Sequence, residues 1–259
     1  MRLLLLFALC IGYSAISQQQ VFDKAGFEHQ DKTLPYRILK PIDFDESKTY
    51  PLHIFLHGSG ERGDDNQAQL KHGSELFIKQ NPTYPAIVIF PQCPADDYWA
   101  QRTYSRNEKI GANVFKFPKE SEPTWAMSAV MALIDQYLEE AYIDKNRVYV
   151  SGLSMGGMGT FELLSRRPSL FAAATPICGG GNSDNVAKWA QQTPVWIFHG
   201  EDDNVVPSNY SKVMYNSLLK MKATPKLTLY KNVGHNSWDN AFAEKKLFAW
   251  IYSKKRKIR

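Results

Sequence analysis

Short apolar segments alternate with amphipathic ones along most of the chain, and this alternation restricts the fold more than any other feature. Apolar side chains at nearly every consecutive position are typical of strands covered on both faces of a sheet. Six segments have this character: residues 52–56, 86–90, 147–151, 172–177, 195–199 and 227–230. Helical periodicity marks residues 125–141, 208–221 and 239–252. This order predicts an α/β fold, in which helices cover both faces of a mostly parallel, twisted sheet.

Two regions lie outside this alternation. Residues 21–41, with the sequence LPYRILKP, predict an antiparallel hairpin or edge that leads into the sheet. Residues 94–123 form a connection of unusual length that carries five aromatic residues, and connections this long commonly have a function. Because no repeat and no low-complexity linker interrupts the chain, residues 18–259 are predicted to form a single domain.

The composition excludes several classes of protein. A hydrophobic fraction of 44%, with 13% aromatic residues, is enough to build a buried core, so the chain is not of the disordered class. Only 16 glycines and 3 cysteines are present, which excludes collagen-like and disulfide-scaffold proteins. No stretch reaches about 18 apolar residues, so the sequence predicts no membrane-spanning helix in the mature protein.

The N-terminus has the three-part pattern of a secretory signal peptide. Arg2 is basic, residues 3–11 are continuously apolar, and Ala15 and Ser17 are the small residues that precede a cleavage site. We therefore expect residues 1–17 to be removed and the protein to be secreted or periplasmic. The alternative is an apolar N-terminal strand that stays on the protein.

The formal net charge of +5 belongs mainly to the C-terminus, where five of the last six residues are Lys or Arg. A basic tail without a basic face does not predict a nucleic-acid partner. Cys93 and Cys178 each follow a predicted strand, and the sequence is compatible with either a disulfide or two free thiols. No histidine or cysteine motif has the spacing of a zinc site, so no metal or other cofactor is expected.

The strongest chemical signal is the sequence Gly-Leu-Ser-Met-Gly at residues 152–156. It follows a predicted strand and precedes a helical segment, which is the setting of a G-x-S-x-G nucleophile turn. Gly152 and Gly156 provide the small neighbours that such a crowded turn needs. Ser154 is thus the candidate nucleophile, at a helix N-terminus that favours developing negative charge. The alternative is a glycine-rich turn with a passive serine.

A serine hydroxyl needs a general base to act as a nucleophile. The chain after Ser154 contains two histidines, His199 and His235. His199 ends an apolar run and looks like a strand-end residue, whereas His235 follows a predicted strand in a loop that can reach Ser154. We therefore predict His235 as the base.

The third member of such a site is an acid that orients the imidazole. Glu201, Asp202 and Asp203 come directly after a predicted strand. Asp203 is the preferred candidate, although position at the sheet edge also admits Asp202. The chain order Ser154, Asp203, His235 is the order of α/β-hydrolase triads.

The oxyanion of an acyl-transfer reaction needs backbone N–H donors. The amide of Met155, directly after the nucleophile, is the first candidate. The sequence His-Gly-Ser-Gly at residues 57–60 follows a predicted strand and supplies the second, from Ser59 or, alternatively, Gly60.

Four further residues are candidates for substrate contact. Trp99 and Trp238 are predicted to form an aromatic platform for a sugar ring or an aromatic acyl group, with core packing as the alternative. Glu61 and Arg62 follow the predicted oxyanion loop. They either bind a polar substrate or pair with each other.

These motifs together resemble the α/β-hydrolase superfamily. The matching pieces extend from about residue 50 to residue 242: LHGSGERGDDN, FPQCP, SGLSMGGMGTFEL, PICGGGN, FHGEDDNVVP and GHNSWDNAF. The chain most resembles secreted esterases of the polyhydroxybutyrate-depolymerase and feruloyl/acetylxylan-esterase type, and also predicted peptidases related to prolyl oligopeptidases. The resemblance supports Asp203 as the acid, because in that superfamily the acid lies three residues after the glycine of this His-Gly pattern. No insertion is long enough for a large lid domain.

The resemblance implies a secreted serine carboxylesterase that works through a Ser-His-Asp acyl-enzyme mechanism. Its expected substrates are carbohydrate-linked acetyl or feruloyl esters, or small carboxylic esters. A serine peptidase acting on short peptides is one alternative, although no proline pocket or amine-binding carboxylates are identified. A non-catalytic binding protein on the same fold is another, which the intact set of Ser154, Asp203 and His235 disfavours.

Overall fold

A computed structural model describes residues 21–109 and 111–256, and the predicted signal peptide lies outside this part of the chain. Its ten strands are β1 (Asp23–His29), β2 (Lys32–Leu39), β3 (Tyr50–Leu56), β4 (Ile87–Pro91), β5 (Thr103–Asn107), β6 (Ala112–Lys116), β7 (Ile143–Leu153), β8 (Ala173–Ile177), β9 (Trp196–Gly200) and β10 (Lys226–Tyr230). The helices are α1 (Ser74–Gln80), α2 (Trp125–Leu138), α3 (Met155–Arg166), α4 (Asn209–Lys220), α5 (Trp238–Phe242) and α6 (Leu247–Tyr252).

Eight strands form one sheet in the order β1-β2-β4-β3-β7-β8-β9-β10. The pairs from β4 to β10 are all parallel. At the other edge, β1 and β2 form the predicted antiparallel hairpin, in which Asp23 pairs with Ile38 and His29 with Lys32. All six predicted strands are thus present, and the predicted α/β fold with a mostly parallel sheet is confirmed.

Helices cover both faces of this sheet because its strands are apolar on both sides. Ile54 and Val150 point to a cluster that includes side chains of α2, α3 and α4. Their neighbours Phe55 and Tyr149 point to the opposite face, where α1, α5 and α6 contribute to a second cluster. This alternation of consecutive side chains explains why the strand segments are apolar at consecutive positions.

The predicted helix at residues 239–252 is wrong as a continuous element, since α5 and α6 are separate helices. Residues 243, 245 and 246 are exposed and present no large apolar side chain that would hold a helix on the sheet. Glu244 Oε1 also accepts a hydrogen bond from the Lys246 N–H at 3.3 Å, and a local bond of this kind competes with helical hydrogen bonds.

The long connection at residues 94–123 contains an antiparallel hairpin, β5–β6, that the sequence does not predict. Most of the hairpin's described side chains are exposed or half-buried, so its pattern lacks an apolar face. Distant residues hold it instead. The Phe115 N–H donates to the Tyr210 hydroxyl at 2.7 Å, and Asn113 Nδ2 donates to the Val205 carbonyl at 2.7 Å.

No helix within residues 21–109 and 111–256 is long and apolar enough to cross a bilayer.

The start of α3 is pressed against the end of β3. A Cβ placed on Gly156 would lie 1.9 Å from the Leu56 carbonyl oxygen, and one on Gly152 would lie 2.3 Å from the Gly156 carbonyl oxygen. Real side chains do not approach backbone this closely, so the two glycines allow the strand–turn–helix segment around Ser154 to form.

We expect Gly156→Ala to lower the free energy of unfolding by about 3 kcal/mol or more, because the new methyl group would have to displace β3 backbone. Gly60→Ala is the matched control, since a Cβ at Gly60 meets nothing within 4 Å. That control should change stability by about 1 kcal/mol or less. Urea unfolding of both variants is the measurement, and equal midpoints would contradict the packing argument.

Candidate active site

Ser154 lies between the end of β7 and the first residue of α3, with φ 54° and ψ −115°. A positive φ is uncommon for a residue with a side chain and has to be held by its surroundings. Here the Ser154 N–H donates to the Ile177 carbonyl at 2.9 Å, and its own carbonyl accepts from the Met158 N–H at 3.0 Å. The side chain remains in reach of solvent, since Ser154 is 8% exposed.

The structure brings Ser154, His235 and Asp203 together from three segments of the chain. His235 Nε2 lies 2.9 Å from Ser154 Oγ, and His235 Nδ1 lies 2.7 Å from Asp203 Oδ2. The carboxylate can only accept, so Nδ1 carries the proton and Nε2 is free to accept the serine hydroxyl hydrogen. The arrangement can therefore remove a proton from Ser154 and stabilise the resulting imidazolium.

The Asp203 side chain is fully buried, and its carboxylate is held by four hydrogen bonds. Oδ1 accepts from the N–H groups of Val205 and Val206, each at 2.9 Å, and Oδ2 accepts from His235 and His199. Burial by itself raises the pKa of Asp203, but the hydrogen bonds from the two imidazoles and the backbone, with the attraction of His235, lower it well below its usual range. Asp202, the alternative acid, is exposed, and its N–H donates to the Val233 carbonyl.

His199 is a contact of the acid that the sequence analysis did not identify. Its side chain is fully buried, and Nε2 lies 3.1 Å from Asp203 Oδ2 and 2.8 Å from the Val206 carbonyl oxygen. Nδ1 lies 2.7 Å from Ser211 Oγ, which donates to the Gly179 carbonyl. His199 lies at the end of a strand, as predicted. A histidine in a buried strand needs a hydrogen-bond partner, and this was the sequence signal that it contacts another polar group.

The candidate oxyanion donors lie on the two segments that meet at Ser154. Met155 is the first residue of α3, so its N–H has no acceptor within the helix. Ser59 begins a short 3-10 turn, Ser59–Glu61, which is separated from the end of β3 by His57 and Gly58. The preceding residue is beside the nucleophile, because a Cβ on Gly58 would lie 3.7 Å from the Ser154 Cβ.

The prediction of Trp99 as an exposed platform is wrong. Trp99 is 0% exposed, and its indole Nε1 donates to the His57 carbonyl at 3.1 Å. The ring packs edge-on against His57, and a Cβ on Gly159 would lie 2.5 Å from the Trp99 Cβ. A buried indole needs a hydrogen-bond acceptor, and here it finds one in the loop before Ser59. Trp99 therefore supports the candidate oxyanion loop from below.

Trp238 lies next to the imidazole and is half-buried. Its ring meets His235 edge to face at 5.4 Å and also contacts His72 at 5.2 Å. The buried Glu61 faces His72, with Oε1 3.6 Å from His72 Nε2. Glu61 and Trp238 thus both contact His72 at the edge of the site.

The sequence left two roles open for Arg62, a salt bridge with Glu61 or contact with a polar substrate, and the structure does not show the salt bridge. The Arg62 guanidinium donates from Nε to the Ser59 carbonyl at 3.0 Å and from Nη1 to the Asp97 carbonyl at 3.2 Å.

Cys93 and Cys178 are both free and buried, so the structure contains no bridge between them. The thiol of Cys178 lies within 4.8 Å of ligand atoms of Asp203 and His235, a donor set that a metal ion could use. Burial raises the pKa of the Cys178 thiol, and His235 and Asp203 are already joined by their 2.7 Å hydrogen bond. The geometry is therefore that of a buried thiol beside a hydrogen-bonded pair.

Comparison with known proteins places this geometry in a family. The family model described as Phospholipase/Carboxylesterase matches residues 41–251. A bifunctional acetylxylan esterase/xylanase, XynS20E of Neocallimastix patriciarum, is 40% identical over 136 residues, which are 52% of this chain and 19% of that protein. The chain thus spans about a fifth of that curated relative.

Two solved structures are similar over nearly the whole chain. The crystal structure of a thermostable esterase superposes with a TM-score of 0.80 and 32% identity, covering 92% of this chain and 64% of that one. A ferulic acid esterase from Anaeromyces mucronatus, solved with ferulic acid, superposes with a TM-score of 0.64 and 15% identity, covering 90% of both chains. The second likeness bears on the fold alone.

We expect His199→Phe to lower the free energy of unfolding by roughly 2–3 kcal/mol, because it removes the side-chain donor to the buried Val206 carbonyl and one of the two imidazole donors to Asp203 Oδ2. His29→Phe is the matched control, since His29 is half-buried and its Nε2 contacts only the Ser128 hydroxyl, at 2.9 Å. Water can replace that partner, so the control should cost about 1 kcal/mol or less. Equal losses in chemical unfolding would contradict this role of His199.

The difference in free energy of unfolding between wild type and His199→Phe should also depend on pH. The lowered pKa of folded Asp203 means that its carboxylate stabilises the fold above the ordinary pKa of about 4 and loses this effect as pH falls towards the folded value. This difference in free energy of unfolding should have its full size near pH 6 and should become smaller as the pH falls below 4.

Proposed function

This chain belongs to the Phospholipase/Carboxylesterase family of α/β hydrolases, and we propose that it is a serine carboxylesterase. Ser154 is the nucleophile, His235 the general base and then the general acid, and Asp203 the residue that orients His235. The N–H groups of Met155 and Ser59 bind the oxyanion. The observation that carries the proposal is the continuous hydrogen-bonded path from Ser154 Oγ through His235 to Asp203, with distances of 2.9 and 2.7 Å.

The reaction follows from this geometry. Ser154 Oγ attacks the ester carbonyl carbon while His235 Nε2 takes its proton, and the imidazolium is stabilised by Asp203. The carbonyl oxygen becomes an oxyanion that faces the N–H groups of Met155 and Ser59. His235 then gives its proton to the leaving alcohol. His235 then takes a proton from water, which attacks the acyl-enzyme carbonyl. As the bond from this carbon to Ser154 Oγ breaks and the acid leaves, His235 returns the proton to Oγ.

We propose an ester linked to a carbohydrate, with acetyl or feruloyl as the acyl group, as the substrate, with small carboxylic esters also accepted. The proposal is supported by the similarity of 136 residues to an acetylxylan esterase/xylanase. It is also supported by aromatic side chains near the site: Trp238 lies beside His235, and Phe115 packs in a small cluster with Met158 of α3. The predicted signal peptide also supports it, because we propose that the protein acts outside the cytoplasm, where polysaccharide substrates occur.

A fluorophosphonate probe should label the wild-type protein at Ser154, and the protein should hydrolyse nitrophenyl acetate. Ser154→Ala should lose both the label and the turnover, since the nucleophile is gone. Ser169→Ala, a change at an exposed serine, should keep both. A wild-type protein that neither labels nor turns over the ester would favour a non-catalytic binding protein.

A substrate panel separates the esterase from a peptidase. Wild-type protein should hydrolyse acetyl-xylan and methyl ferulate with a higher kcat/KM than dipeptide amides. Faster release from the amides would overturn the proposed substrate class while leaving the roles of Ser154, His235 and Asp203 intact.

Asp203→Asn should lower kcat by roughly 10³- to 10⁴-fold, because an amide can donate to His235 Nδ1 and thereby favour the wrong tautomer. Asp202→Asn is the matched control, since Asp202 is exposed and one residue away. Its kcat for nitrophenyl acetate should stay within about twofold of wild type, because substitutions of exposed side chains usually have small effects. Equal effects, or the reverse order, would show that Asp203 is not the orienting acid.

A further inference from the structure

A cavity of about 490 Å³ lies between the loop after Ser59–Glu61 and the start of α2. Its volume is in the range of small-ligand sites. The side chains that matter here are Arg62, Asp96, Tyr98, Gln101, Arg102 and Trp125. The predicted triad residues do not line it, so it is a second feature of the molecule.

Among residues 21–109 and 111–256, the two arginines in this cavity have no carboxylate partner. Arg62 donates to the backbone carbonyls of Ser59 and Asp97, and Arg102 stacks on the Tyr98 ring with Cζ 3.9 Å from the ring centroid. Arg102 Nε is buried and has no hydrogen-bond partner in the part of the chain that the structure describes. Within the same residues neither guanidinium belongs to an ion pair. Two unneutralised guanidinium groups, each a planar set of donors, suit a carboxylate ligand.

Neither acidic residue of the cavity forms an ion pair with these arginines in the part of the chain that the structure describes. The Asp97 carboxylate is engaged at the start of α2, where it accepts from the Ala126 and Tyr98 N–H groups at 2.7 Å each. Asp96 is exposed. Together with Lys32, the lining has three cations and two carboxylates, so one negative charge on a ligand would balance it.

The cavity is connected to the candidate active site through two residues. Arg62 binds the carbonyl of Ser59, whose N–H is the proposed oxyanion donor. The Tyr98 hydroxyl donates to Met158 Sδ, in the first turn of α3, at 3.9 Å. Two residues that line the cavity thus contact the segments that carry the candidate oxyanion donors.

We propose that this cavity binds a carboxylate-bearing sugar, a uronate unit of the polysaccharide that carries the ester. Arg62 and Arg102 hold the carboxylate, and Gln101 and Asp96 are placed to hydrogen-bond ring hydroxyls. The half-buried Trp125 offers apolar surface to the sugar ring. The inference rests on the proposed function for the identity of the substrate, and it makes the enzyme selective for acidic polysaccharide.

The test is a calorimetric titration of the full chain carrying Ser154→Ala, which binds but does not consume substrate. The probes are xylotetraose with one glucuronate branch, unbranched xylotetraose and inorganic phosphate. The branched probe should bind at least tenfold more tightly than the other two. Adding Arg102→Gln should weaken its binding by about tenfold or more, the usual effect of losing a charged hydrogen-bond partner.

Arg106→Gln is the matched control, because Arg106 is exposed on β5 and pairs with Glu108 at 3.6 Å. It should leave the affinity for the branched probe unchanged. Arg102→Lys, which keeps the charge but loses the planar fork, should give an intermediate affinity. Thermal unfolding of each variant confirms that the protein is folded.

Three outcomes would overturn the uronate site: equal binding of the branched and unbranched probes, no effect of Arg102→Gln, or phosphate binding as tightly as the branched probe. The third outcome would mean a general anion site. Because binding needs no turnover, its failure is distinguishable from a failure of the esterase proposal. If the wild-type protein is an active esterase but the glucuronate branch does not increase affinity, only the uronate-site proposal is refuted. If the protein is inactive but binds the branched probe tightly, only the esterase proposal is refuted.

Discussion

The contact between the first turn of α3 and the end of β3 is the constraint on which the site depends. Gly156 allows α3 to approach the Leu56 carbonyl to a distance that any side chain would prevent. This approach fixes Ser154 at φ 54° and brings the loop after β3 next to it. The candidate nucleophile and both candidate oxyanion donors therefore share one packing contact, so the strained backbone at Ser154 is compensated by the surrounding sheet.

A buried carboxylate organises the opposite side of the site. Desolvation makes an isolated buried carboxylate unfavourable, and Asp203 is tolerated because two backbone N–H groups and two imidazoles donate to it. His199 holds one of these positions from within the core, while His235 remains half-buried and able to meet Ser154. The acid is thus anchored by the sheet, and the base connects it to the surface.

Much of the fold and the core of the site could be predicted from the sequence. The six strands and the G-x-S-x-G turn are each encoded within about ten neighbouring residues, where periodicity and glycine content are direct signals. The sequence-based predictions were wrong or missing where contacts with residues far along the chain determine the local structure. Trp99 has the kind of aromatic side chain that forms a platform, but it is buried and its indole N–H donates to the His57 carbonyl. The β5–β6 hairpin has no apolar face, and Tyr210, far along the chain, holds it in place.

The sequence by itself determined the six strands from β3 to β10 that it predicted, the serine turn, and the candidate nucleophile and base, because these follow from local pattern and local geometry. Only the tertiary structure decided that Asp203 rather than Asp202 meets His235, that His199 shares this carboxylate, and that Cys93 and Cys178 stay apart as thiols. It also decided that Arg62 and Arg102 line one cavity and form no ion pair with any described residue. The physical reason is that charge pairing and burial depend on distances between side chains far apart in sequence, which no local pattern specifies.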